Sequence, residues 1–274
     1  MATPKKPVPA HDVKARLAVK IASLDDPVAL VIESYIDSLA LPFSHSAVPG
    51  SDLATTPFVE HFLTRLRFHH AANDDVLNKK SFEFAFKHAC LAAGRTAGIS
   101  VSATHPGQDI TVDGVPMSLK TEAEKRISPR SLKISKFMEA RWIRDCKSQN
   151  DFHARIPSIL AHMAHYERLL VLRIFRRLES KPPSVRYDLV EIPLGLLKRI
   201  GTLAPSDFIP PRSASGGGGS AVVKDGAAKL FTLRLDGSVE KVTISGLDLS
   251  RCAQHASWTV SVPAGLVAAK EEGD

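Results

Sequence analysis

The chain has 274 residues, of which 44% are apolar and 24% charged; that is enough to bury a sizeable core and argues against a disordered chain. Three widely spaced cysteines, Cys90, Cys146 and Cys252, exclude a disulfide framework and zinc-finger spacing, and they point to a reducing, cytoplasmic setting. No apolar run is long enough to span a bilayer, and the net charge of +7 calls for an anionic partner without naming it.

Asp26-Pro27 is an N-cap and first-turn signal and predicts a helix to about Leu39. Further helices are expected over Pro57–His69 and Lys80–Gly94. Ile99–Ala103 alternates, and Gly107–Thr121 alternates about Asp113-Gly114; both read as strands. Ser131–Lys147 returns to helical spacing. Its basic residues fall on one arc and Leu132, Ile134, Met138, Trp142 and Ile143 mostly on the other, with Phe137 the exception. Pro157–Tyr166 reads as a helix, Leu169–Phe175 and Val185–Ile192 as strands, and Leu194–Ile200 as a short helix after Pro193. Ser213–Ser220, rich in glycine, reads as a flexible loop. Lys229–Leu235 and Val239–Ile244 flank Asp236-Gly237-Ser238 as a hairpin, and Ser257–Val262 makes a last strand. The chain divides into an N-terminal helical region (1–75), a mixed α/β core (76–212), the Gly/Ser loop (213–220) and a C-terminal β-rich region (221–274).

The charge is concentrated. Lys125, Arg126, Arg130, Lys133, Lys136, Arg141, Arg144 and Lys147 share one short stretch with only Glu139 and Asp145, a footprint suited to a phosphate backbone. The stretch follows directly on the most informative segment. Asp-Gly between two alternating runs signals a two-residue hairpin, because a type I′ turn needs positive φ at both central positions. That turn pairs Val112 with Val115, Thr111 with Pro116, Ile110 with Met117 and Asp109 with Ser118. Cross-strand partners share a face, so Ile110, Val112, Val115, Met117 and Leu119 form a core face. The opposite face carries Asp109, Thr111, Ser118, Lys120 and Glu122. An acid, a hydroxyl and a lysine thus converge, a set suited to hydrolysing phosphodiesters: the carboxylate holds Mg²⁺ and the lysine handles the attacking water.

Gln108-Asp109 on one strand and Ser118-Leu119-Lys120 on the next resemble the PD-(D/E)xK nuclease superfamily, which includes most type II restriction enzymes. The likeness covers roughly Lys80–Lys147: helix, three-stranded meander, basic helix. It implies an α/β, restriction-endonuclease-like core with N-terminal helices and a C-terminal β-rich extension. It further implies Asp109 as the metal-binding acid, Lys120 as the catalytic lysine and the Leu119 carbonyl as a further Mg²⁺ ligand. The motif's second acid is here Ser118. Some members carry Ser-x-Lys and bring the missing carboxylate from a neighbouring helix; Glu83, Glu122 and Glu139 are the candidates, with Glu83 preferred. Lys125, Arg126, Arg130, Lys133, Lys136, Arg141 and Arg144 would grip double-stranded DNA. The resemblance implies a homodimer, since a palindromic site matches two-fold symmetry. A non-catalytic DNA binder on the same scaffold, or a repair nuclease, stays open at this point.

Other chemistry finds no support. His162 and His165 lack the glutamate of a zinc-protease motif and read as packing or helix-surface residues, as do His69, His70 and His105. The Gly216–Gly219 run lacks the Lys-Ser/Thr of a phosphate loop, so no nucleotide cofactor is expected. There is no nucleophile elbow. Arg251, Gln254 and His255 are candidates for reading base edges.

Overall fold

A computed structural model describes residues 10–100, 107–210 and 218–263. Two helices come first, α1 (Ala10–Ala22) and α2 (Asp26–Ala40), followed by strand β1 (Phe43–Ala47), α3 (Thr56–Ala72) and α4 (Lys79–Ala92). The cap of α2 is Asp25 rather than Asp26: its side chain accepts a hydrogen bond from the Val28 amide, which leaves Pro27 inside the first turn. The meander follows as β2 (Ala97–Ile99), β3 (Ile110–Val112) and β4 (Val115–Glu122). After β5 (Ser131–Glu139) come α5 (Gln149–Ala154), α6 (Ile156–Met163), β6 (Arg168–Arg177), β7 (Ser184–Ile192) and α7 (Leu194–Lys198). The chain closes with β8 (Phe208–Ile209), β9 (Gly218–Asp225), β10 (Ala228–Asp236), β11 (Lys241–Asp248) and β12 (Ala253–Ser261). No described helix is long and apolar enough to cross a membrane.

The strands make two sheets. A seven-stranded sheet runs β1-β12-β7-β6-β4-β3-β2, and a five-stranded sheet runs β5-β11-β10-β9-β8. Strands from both ends of the chain, β1 and β12, therefore lie in the same sheet as the meander. Among the described strands only β4 and β6 pair in parallel. The near-continuous apolar run of β6 fits its place, because that strand is covered on both sides. Leu170, Leu172 and Ile174 pack with α3 and α4, whereas Leu169 and Val171 face the second core, shared with the five-stranded sheet and α6. The architecture is mixed α/β, as expected.

The β3–β4 hairpin has the expected register, Val112 to Val115, Thr111 to Pro116 and Ile110 to Met117. Asp113 and Gly114 carry φ of 50° and 83°, as a type I′ turn requires. Ile110, Val112, Met117 and Leu119 are fully buried in the first core.

The expected basic helix is not one. Ser131–Glu139 is a strand paired with β11, and only Arg141–Asp145 coils, as a short 3₁₀ turn. The register of β5 against β11 shifts between Val242 and Ile244, where Met138 and Ile134 are the partners. An irregularity of this kind changes the phase of a strand. It buries Ile134 and Phe137, three apart, and so breaks the alternation by which a strand is read from sequence. A second correction concerns the Gly/Ser segment: Gly218–Ser220 belong to β9, while 213–217 lie outside the described residues, as does most of the strand expected over 99–103.

Candidate active site

Asp109 stands at the mouth of the hairpin, just before β3, with its amide bonded to the Met117 carbonyl at 2.9 Å. One carboxylate oxygen accepts the Leu119 amide at 2.7 Å and the Ser118 hydroxyl at 3.2 Å. The other accepts the Lys79 ammonium at 2.6 Å. Lys120 Nζ lies 4.0 Å from Asp109 Oδ2, and both side chains are about nine-tenths buried. The hairpin therefore brings Asp109, Ser118 and Lys120 together. Ser118 is wholly buried and orients the Asp109 carboxylate through its hydroxyl rather than replacing the missing acid.

Helix α4 completes the group. Its N-cap Asn78 accepts the Ser81 amide, and its first two turns bring Lys79 and Glu83, one turn apart, towards Asp109. Lys79 Nζ is 3.5 Å from Glu83 Oε1, so its ammonium stands between two carboxylates. Lys79 escaped the sequence reading because no local pattern ties it to Asp109, 30 residues on. The other two candidate glutamates are held by partners of their own. Glu122 is buried against Arg173 Nε at 2.6 Å and also accepts the Lys133 amide. Glu139 is exposed and paired with Lys136.

Lys79, Asp109 and Lys120 open into a cleft of about 800 Å³ that Lys136, Glu139, His162 and His165 also line. Strand β5 and helix α6 form its far wall. His162 packs edge-on to Phe137 and Tyr166, so the packing role expected for it holds, yet it also lines the cleft. Gly107 passes beneath these rings with φ +99°, and a Cβ there would sit 2.6 Å from His162 Cε1 and 3.2 Å from Tyr166 Cε1. Gly107→Ala is therefore expected to displace Asp109 and cut the turnover rate by roughly 10²-fold, with substrate binding changed far less; single-turnover kinetics beside a binding titration check this. His105 lies outside the described residues.

The basic residues are dispersed rather than aligned on a helix. Lys136 reaches the cleft, Lys133 is paired with Glu124, and Arg141 and Arg144 flank Glu240. Lys125, Arg126 and Arg130 are exposed in the connection between β4 and β5. Of the suggested base readers, His255 is buried and bridges Ser51 and Glu191 at 2.8 and 2.9 Å, which removes it from any base edge. Arg251 and Gln254 are exposed but do not line this cleft.

A family model described as SmaI, type II site-specific deoxyribonuclease, matches residues 18–260. The chain belongs to this family. It is similar to the type II restriction enzyme SmaI of Serratia marcescens, being 32% identical over 218 residues, 78% of this chain and 84% of that protein. No solved structure matches. The chain is accordingly a hydrolase acting on double-stranded DNA, and its α/β architecture is a restriction-endonuclease-like core.

The electrostatics of the cleft suit a SmaI-family deoxyribonuclease. Burial, and then the charge of Asp109, push the Glu83 carboxyl above its ordinary range. Burial lowers the Lys120 ammonium, although Asp109 opposes it. Burial acts to lower Lys79 as well, but its bond to Asp109 and the two carboxylate charges prevail and raise it. Two acids held close repel one another until a cation intervenes, and here the intervening cation is the Lys79 ammonium. Among the described residues no group of three or more His, Cys, Asp or Glu side chains gathers as a metal cage. An oxygen-only pair of carboxylates nevertheless fits Mg²⁺, which commonly takes one or two carboxylates plus water and substrate phosphate.

Proposed function

We propose that this deoxyribonuclease is a Mg²⁺-dependent restriction endonuclease of the PD-(D/E)xK type, which cuts both DNA strands as a homodimer. The observation that carries the reading is the 4.0 Å approach of Lys120 to Asp109 on the floor of the cleft, with Glu83 supplying the acid absent at Ser118. Asp109 and Glu83 would hold the cation, together with the Leu119 carbonyl. That carbonyl leaves β4 on the same edge as the amide that Asp109 accepts, since a strand residue presents both backbone groups to one side. When bound, Mg²⁺ makes water a stronger nucleophile and offsets charge on the phosphate.

The chain's own residues do the rest. Ser118 and the Leu119 amide fix the Asp109 carboxylate. Lys120, partly desolvated, orients the attacking water and faces the developing negative charge. Lys136, with the exposed Lys125, Arg126 and Arg130, would hold the DNA backbone, which positions the duplex without reading it. Three free cysteines accord with action in the reducing cytoplasm.

Plasmid incubated with the protein and Mg²⁺ should give discrete fragments, and chelator should abolish them. A smear, or cutting that persists in chelator, would overturn the reading. Lys79 adds a prediction of its own. Its ammonium holds the ground between Asp109 and Glu83, so Lys79→Met is expected to bind Mn²⁺ in the absence of DNA roughly tenfold more tightly, the loss of about 1.4 kcal/mol of competition. Titration calorimetry on the free protein measures this.

A further inference from the structure

Helix α2 has 15 residues and none of them is buried, yet its composition is that of a core helix. Val28, Leu30, Val31, Tyr35 and Ile36 are 40% to 64% exposed, and α1 adds Val13, Leu17 and Val19 at 45% to 73%. A helix apolar on most of its faces is normally covered, and one this short is marginal alone in water. Contiguous apolar surface of this kind marks an association site. Helix α2 lies along α3, where Arg67 donates to the Leu39 carbonyl, and these apolar side chains stay open on its other faces.

The charges on the two helices name the occupant. Helix α1 carries Lys14, Arg16 and Lys20 against a single Asp12, whereas α2 carries Asp26, Glu33 and Asp37 and no basic residue. A surface with one basic and one acidic apolar helix complements a rotated copy of itself. We infer that helices α1 and α2 form the dimer interface, with α1 of one protomer packed on α2 of its partner about a two-fold axis. Such an isologous contact uses the same patch twice, and four helices of this kind close an apolar bundle. The inference rests on the double-strand-cutting homodimer proposed above and adds where that dimer forms.

The test uses the full chain and light scattering at micromolar concentration. The wild type should be dimeric. Leu30→Glu with Val31→Glu, both on the surface, should weaken the dimer roughly 30-fold or more with an unchanged far-UV spectrum. The charge-reversed variants, Lys14→Glu/Lys20→Glu on one hand and Glu33→Lys/Asp37→Lys on the other, should each be monomeric alone. Mixed, they should form a heterodimer, because every α1–α2 contact then joins opposite signs. A wild-type dimer untouched by these changes, or variants that fail to rescue one another, would place the interface elsewhere and leave the homodimer standing. A monomeric wild type that still cuts both strands would overturn the interface and the homodimer together, while the nuclease assignment survives.

Discussion

Asp109→Asn and Lys120→Ala should each slow Mg²⁺-supported cleavage by roughly 10³-fold or more, the size seen when one preorganised group at a developing charge is lost. The asparagine keeps the shape of the side chain and can still accept the Leu119 amide through its oxygen. What it loses is the charge that faces Lys79, at 2.6 Å, and Lys120, at 4.0 Å. The alanine removes the ammonium from the cleft floor without touching the apolar face of the hairpin. Both variants should fold and retard specific DNA on a gel, because the basic residues outside the cleft are unchanged. Ser118→Ala makes the contrast: it deletes one hydrogen bond to Asp109, worth about 1 kcal/mol, and should cost several-fold only. Wild-type rates in either of the first two variants would remove the hairpin from the chemistry.

The largest effect on stability is expected at Arg173. It is fully buried, its partner Glu122 nearly so, and it also donates to the carbonyls of Ser128 and Ser131. Through these bonds it pins the connection along which the chain leaves β4 for β5, joining the two sheets. Arg173→Met would leave the Glu122 carboxylate in the interior with the Lys133 amide as its remaining partner, and breaking such a pair one-sidedly costs about 3–5 kcal/mol. Burial already pushes Glu122 up in spite of its arginine, so the orphaned acid would take up a proton. Melting should fall by roughly 10 °C, read by calorimetry. Pairing Arg173→Met with Glu122→Leu should recover part of the loss; a single variant as stable as wild type would sink the argument.

What could be read in advance follows from how local the cause is. The hairpin was legible because a two-residue turn and a strict period of two determine every partner from Asp109 to Lys120. Its flanking helix was legible too, and with it Glu83, although only a superfamily resemblance suggested that glutamate. Strand β5 was not legible: the irregular pairing near Ser135 reset its phase, and its pairing with β11, about a hundred residues distant in the chain, outweighed local periodicity. Lys79 and the cleft-facing side of His162 depend on contacts between separate elements, for which no spacing rule exists. The removal of His255 from the surface has the same origin, since Ser51 and Glu191 come from distant segments.

A centre already supplied with a positive group from within keeps its acids quiet when no mineral ion is at hand. The protein should therefore stay folded in chelator, with magnesium raising its melting temperature by only a few degrees, and resume cutting as soon as the ion returns. Metal withdrawal would then act as a pause, unlike domains whose folding depends on the ion they bind.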